Sequence, residues 1–169
     1  MGLLNNGIRR VWKTRTWEDN WNNAIMKVLF PNTDLKNEML IPSAKQSNLK
    51  AFIDQYFVED VASDKIIINE DVRIVWHIEA NPFIRGSANV HQKYLILDIY
   101  VKNERLHDVT TTNRLASRDV AIAKRIRYLL TRTKSVENIS FEYADEFRLM
   151  SKLIGYQRLR LMFFYYATY

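Results

Sequence analysis

Several stretches of this chain cycle between apolar and polar positions strongly enough to name the elements they form. Tyr94 to Lys102 (YLILDIYVK) mixes β-branched and aromatic residues as a strand does, and Lys65 to Ile68 and Val72 to Ala80 share that composition. Ile139, Phe141 and Tyr143 alternate with Ser140 and Glu142, which predicts a short strand with one polar face. Arg158 to Tyr169 (RLRLMFFYYATY) predicts a long aromatic strand. Its period of two places Leu159, Leu161, Phe163 and Tyr165 on one face and Arg160, Met162, Phe164 and Tyr166 on the other. Apolar residues on both faces predict that both are covered, one by helices and one by another subunit. Terminal segments fray unless tied down, so this strand is expected to be paired within the sheet.

Three stretches carry helical spacing. Thr16, an N-cap residue followed by Glu18 and Asp19, opens a helix expected to run to about Phe30, where Pro31-Asn32 stops it. Its apolar stripe is Trp17, Trp21, Ala24, Ile25, Val28 and Leu29, and its tryptophans, with Trp12, read as core anchors more readily than as a stacking platform for bases. A second helix is predicted from Ser43 to about Phe57, with Leu49, Phe52, Ile53, Tyr56 and Phe57 turned inward. The clearest runs from Thr112 to Thr133, where Leu115, Ile122, Ile126 and Leu129 share one face and Ala123 and Leu130 lie beside them. Asn81 to Gln92 reads as a long hairpin loop and Asp145 to Tyr156 as a second loop. The fold class expected is α+β: a single domain, mainly antiparallel β-sheet packed by a long amphipathic helix, with an N-terminal helical extension. Residues 1–65 would be a basic arm and helical extension, and 66–169 the core module.

Charge changes this picture in one place. The formal net charge is +6, which either keeps the chain dissolved or marks an acidic partner. Between Glu104 and Lys134 eight Lys and Arg face three acids, so most of the excess lies on and around the long helix. Arg114, Arg118, Lys124, Arg125 and Arg127 are its basic patch, read either as a solvated face or as a partner site. The absence of cysteine removes disulfides and thiol chemistry and fits a reducing compartment. The N-terminus lacks a signal-peptide pattern, Asn6 breaks a myristoylation motif, and no run approaches the roughly 18 apolar residues of a membrane span. A soluble chain with no membrane contact is expected.

Candidate chemistry is thin. His77 and Glu79 share a strand face, and His91 and Asp98 could complete a metal site, but this spacing arises often by chance. A nuclease centre fails because Tyr100 stands where an acid should precede Lys102, which leaves Asp98 as a polar strand residue suited to an arginine across an interface. Phosphate loops and a nucleophile elbow are absent. The basic helix lacks a helix-turn-helix partner and the strands lack the aromatic pair of an RNA-recognition sheet, so only non-specific phosphate contact stays open. No enzyme, cofactor or small-molecule substrate is expected.

The order of elements from Val72 to Tyr169 is strands, a central YLILDIYVKN, the helix NRLASRDVAIAKRIRYLL, a strand, a loop and RLRLMFFYYATY. It resembles the tail terminator proteins of long-tailed bacteriophages and the related neck proteins. The resemblance implies a structural virion protein, made in the host cytoplasm and located at the head–tail junction. There a homo-oligomeric ring, typically a hexamer, caps the tail tube to end its polymerisation and offers the docking surface for the head. Its implied partners are the tube protein and neck or connector proteins, with passing contact to genomic DNA. It also implies that Asn113 to Leu130 packs on the sheet and that the Asn81 to Gln92 loop meets a neighbour or the tube. Aromatics and arginines anchor interfaces. The assembly candidates are therefore Arg9, Arg10 and Trp12 in the arm, Phe83 and Arg85 in the loop, and Phe163, Phe164, Tyr165, Tyr166 and Tyr169 in the last strand. A tail-completion or head-closure factor, a non-specific DNA-binding accessory protein and a metal-dependent enzyme using His77 and Glu79 are the rival readings.

Overall fold

The strands pair into one mixed sheet of order β1-β2-β3-β5-β4, formed by β1 (Phe57–Glu59), β2 (Val72–Ala80), β3 (Val90–Lys102), β4 (Ile139–Leu149) and β5 (Tyr156–Thr168). β1 runs parallel to β2 and every other pair is antiparallel. This computed structural model describes residues 17–59, 69–80, 90–107, 116–132 and 139–168. The basic arm, the expected strand Lys65 to Ile68, most of the Asn81 to Gln92 loop and Tyr169 lie outside them. The chain is a single α+β domain, as its patterning predicts.

The aromatic strand β5 sits inside the sheet, bonded to β3 on one side and β4 on the other. Leu159, Leu161, Phe163 and Tyr165 are buried against the helices, as period-two alternation requires. They meet Leu95, Leu97, Ile99 and Val101 of β3 and Val72, Ile74 and Trp76 of β2 in one cluster.

The helices differ from their predicted outlines. α1 (Trp17–Ala24) continues through a π-helical turn, Ile25–Leu29, in which Phe30 N–H donates to the Ile25 carbonyl. The segment read as one helix from Ser43 to Phe57 is a 3-10 turn (Ser43–Lys45), α3 (Leu49–Ala51) and a second π turn (Phe52–Tyr56), and Phe57 already belongs to β1. Between them lies the unforeseen α2 (Thr33–Glu38), capped by the Asn32 side chain, which accepts from Leu35 N–H at 2.8 Å. It ends at Leu40, whose φ of +55 lets Leu40 and Ile41 N–H donate back to the Asn37 and Lys36 carbonyls. α4 (Arg118–Arg132) starts six residues later than Thr112, because Ser117 and the first-turn acid Asp119 supply the start signal.

β4 is longer than the short strand predicted, and the stretch Asp145 to Leu149, read as loop, is its second half. A one-residue register shift between Tyr143 and Asp145 reverses which positions face the helices. Arg148 therefore turns toward α4, donating to Asp119 at 3.2 and 3.3 Å and to Ser117 Oγ at 2.8 Å. Without the shift the fully buried Asp119 carboxyl would have lost this cation.

The boundary expected near residue 65 does not divide the packing. Trp21, fully buried, has its ring 6.1 Å from Phe57, 6.0 Å from Trp76 and 5.6 Å from Phe141, so one side chain of α1 ties together β1, β2 and β4. The described part of the N-terminal segment supplies 11 of the 27 buried residues of the core cluster. Trp21→Ala is expected to cost about 3–5 kcal/mol of unfolding free energy, as large aromatic truncations in cores do. Urea denaturation followed by fluorescence and circular dichroism checks this. A loss below about 1 kcal/mol would show that the core does not hinge on this ring.

Candidate assembly surfaces

Two faces of the sheet have different chemistry. The helix-facing side is the hydrophobic core, and it contains the candidates Phe163 and Tyr165, both fully buried. Phe141 stacks on Tyr165 at 5.0 Å and meets Phe163 edge-on at 6.4 Å. These two aromatics therefore hold the fold and leave the list of contact residues. The opposite side carries Val75 and His77 of β2, Tyr94, Ile96, Asp98 and Tyr100 of β3, and Arg158, Arg160, Met162, Phe164 and Tyr166 of β5. Val75, Ile96 and Tyr100 are buried yet stand outside the core cluster. Phe164 packs on Tyr94 at 5.2 Å, and Tyr166 accepts from Gln92 at 3.0 Å and donates to Glu142 at 3.2 Å. Phe164, Met162 and Tyr166 remain half-buried.

An ion cluster holds the middle of this face. Asp98, 4% exposed, accepts from Arg160 Nε at 2.8 Å and Nη2 at 2.9 Å, and from Arg158 Nη2. Both arginines come from β5 of the same chain, so the arginine expected across an interface is intramolecular. Burial pushes the Asp98 carboxyl toward its neutral form, but the hydrogen bonds and charges of Arg160 and Arg158 outweigh it, and its pKa lies below the usual carboxylate range. The neighbouring His77 Nε2 and Glu79 Oε1 meet at 3.0 Å. The metal site they were to share with Asp98 is not assembled, since Asp98 is committed to its arginines, and among the described residues no group of three or more His, Asp or Glu gathers as a metal site.

The basic patch on α4 divides as well. Arg118 is buried and leaves it: its Nε donates to the Arg105 carbonyl and Nη1 to the Glu38 carbonyl, each at 3.0 Å, fastening α4 to α2 and to the turn after β3. Arg125 is half-buried and pairs with Asp34 at 3.5 Å, while Arg127 lies over the Tyr143 ring at 4.8 Å. Lys124 is exposed, as are Tyr128 and Arg132, which stack at 4.9 Å. Glu38, Ala116, Ala121, Lys124, Arg125 and Tyr128 line an open pocket of about 380 Å³ between α2 and α4. Arg9, Arg10, Trp12, Phe83, Arg85, Arg114 and Tyr169 lie outside the described residues.

The turn between β4 and β5, Met150 to Gly155, is what remains of the stretch Asp145 to Tyr156 read as a loop, and it exposes two large aliphatic side chains. Met150 is 92% and Ile154 100% exposed. The turn is nonetheless built firmly. Leu153 N–H donates to Ser151 Oγ, Tyr156 N–H to the Leu153 carbonyl, and Asn103 N–H to the Gly155 carbonyl at 2.9 Å. Gly155 takes φ +82, which suits glycine. The available signal was the Ser and Gly of a turn between two alternating runs.

No helix among the described residues is long and apolar enough to cross a membrane. Comparison with family models, with curated proteins and with solved structures yields no match, so these surfaces are interpreted from their own chemistry.

The Asp98 cluster makes a pH-dependent contribution whose sign is fixed. A carboxylate with a depressed folded pKa stabilises fully above its unfolded value and loses that contribution as pH falls through the folded one. Asp98→Asn is expected to be destabilised at pH 7, by roughly 3 kcal/mol for a buried pair broken on one side, and to lose less further stability than the parent between about pH 5 and pH 2. Thermal melts across that range measure both; parallel pH profiles for the two proteins would remove Asp98 from the acid response.

Proposed function

We propose that this protein is a structural, self-assembling subunit that forms a ring at the head–tail junction of a long-tailed phage. In this reading it caps the tail tube to end its growth and presents the docking surface for the head. It is made in the host cytoplasm and resides in the virion. The observation that carries the reading is the second face of the sheet, where Met162, Phe164 and Tyr166 of a central strand form an apolar, aromatic surface that the core does not use. Large aromatic side chains in such a position suit a contact between subunits. The order of elements around it, with α4 laid on the sheet and β4–β5 following, is the order that suggested the tail terminator class. A tail-completion or head-closure factor would share this architecture and differ in the neighbour it touches.

Native mass spectrometry and light scattering of the purified chain test the ring. A closed oligomer, six subunits by the family resemblance, is the expected result, and a strict monomer at high concentration sinks the reading. Replacing Phe164 and Tyr166 together by serine is expected to weaken association by roughly thirtyfold or more while circular dichroism stays that of the parent. If the variant unfolds instead, that face is core and nothing else. Capture of tube protein as against portal-side protein then separates terminator from other neck factors.

A second reading, non-specific DNA contact, is favoured by Lys124, Tyr128 and Arg132, exposed at intervals of four along α4. It predicts DNA affinity that falls steeply with salt and a slope reduced by about one per phosphate contact in Lys124→Gln or Arg132→Gln. Fluorescence anisotropy across a salt series decides it.

A further inference from the structure

Among the described residues β4 pairs with β5 alone, so along Ile139–Leu149 every second residue turns its N–H and C=O outward. Such an edge is a template on which a further strand can pair through its backbone. Its side chains say which strand. Glu142 and Asp145 are exposed on the face away from the helices, and Glu146 is half-buried on the other. None of the three is ion-paired with a cation among the described residues. Arg148 is committed to Asp119, and Arg127, over the Tyr143 ring, is one cation against three acids. The edge therefore disfavours an acidic strand and favours a basic one.

The sequence contains such a segment. Residues 1–16, which lie outside the described residues and precede α1, carry four Lys and Arg and no acid. Within them Ile8 to Arg15 (IRRVWKTR) brings Ile, Val, Trp and Thr, residue types that favour strands. Extended, that segment would span about 26 Å, within the length of the 11-residue β4. At period two Arg9, Val11, Lys13 and Arg15 would share one face, and Ile8, Arg10, Trp12 and Thr14 the other. The first face suits Glu142 and Asp145. The second would set Arg10 toward Glu146 and Trp12 toward the Tyr143 ring, which is 37% exposed. Sixteen residues reach roughly 50 Å when extended, against a radius of gyration of about 15 Å for a domain of 169 residues, so the arm can reach a neighbouring copy.

We propose that Ile8–Arg15 of one copy adds as a strand to the free β4 edge of the next, with Arg9 and Lys13 set against Glu142 and Asp145. This rests on the assembly reading above and names the contact that would link the subunits of the ring. Arm and edge are different patches of the molecule, so repetition of the contact is heterologous, and heterologous contacts close into rings when their rotation permits. The occupant is the arm of a second copy because its charge is opposite to that of the edge and its reach exceeds the domain that carries it.

Two charge-reversed variants of the full chain test this. Arg9→Glu with Lys13→Glu reverses the arm, and Glu142→Lys with Asp145→Lys reverses the edge at two exposed positions. Each variant is expected to keep the parent's circular dichroism and melting curve and to associate about thirtyfold or more weakly in native mass spectrometry. Mixed in equal amounts, the two are expected to form rings containing both, because each acidic arm then meets a basic edge and each basic arm an acidic one. In the parent, hydrogen exchange is expected to show β4 amides protected where the ring forms and released on dilution. If the edge variant unfolds, the arm variant and hydrogen exchange decide. A ring that survives either reversal overturns the proposal while leaving the ring reading in place. Variants that stay apart when mixed overturn exchange between copies. So does β4 protection that is unchanged on dilution, which places the arm on its own β4. A parent protein that is monomeric in native mass spectrometry overturns both readings at once.

Discussion

Thirteen consecutive residues of β3 pair with thirteen of β5, and that ladder sets the terms for every other element. β5 has a partner on each side, so neither of its edges is exposed, and its two faces are left to do separate work. One face meets α1, its π turn and α4 through Leu159, Leu161, Phe163 and Tyr165. The other carries Arg158, Arg160, Met162, Phe164 and Tyr166 into a mixed ionic and aromatic surface. A slip of one residue along this ladder would exchange the faces and drive two arginines into the core.

The Asp98 cluster makes that slip expensive. A buried ion triad is weak evidence for stability, since its desolvation nearly cancels its attraction. Its value lies in specificity: Asp98 meets Arg158 and Arg160 only in the native register, where Asp98 stands opposite Arg160. The shift in β4 solves a related problem at the sheet edge. It lets Phe141 and Tyr143 face the helices near one end of the strand and Arg148 reach the buried Asp119 near the other. An edge strand bearing Glu142, Asp145 and Glu146 also resists pairing with a second copy of itself, since antiparallel neighbours would bring like charges together.

Much of the fold was legible because burial and periodicity coincide. The two faces of β5, the stripe of α1 and the inner face of α4 follow directly from spacing. The second half of β4 was hidden because the shift at Ala144 breaks the alternation that identifies a strand. The π turns leave no mark in side-chain type. Arg118 looks like its basic neighbours, and only its place in the first turn of α4, beside the carbonyls of Arg105 and Glu38, takes it out of the patch. Of the assembly candidates, Phe164 and Tyr166 kept a face turned away from the core, while Phe163 and Tyr165 did not. The loop around Met150 and Ile154 was legible from its Ser and Gly, but only the structure shows that these two aliphatic side chains stand almost wholly in water.

The double pairing of β5 also has a mechanical side. Tension directed along that strand acts in shear on two ladders together, so many hydrogen bonds must yield at once. Tension directed across the sheet at the outer strand β4 meets one ladder and can open it pair by pair. The domain is thus stiff along the strand axis and soft at its β4 edge, and it bears a load best when that axis is aligned to the pull.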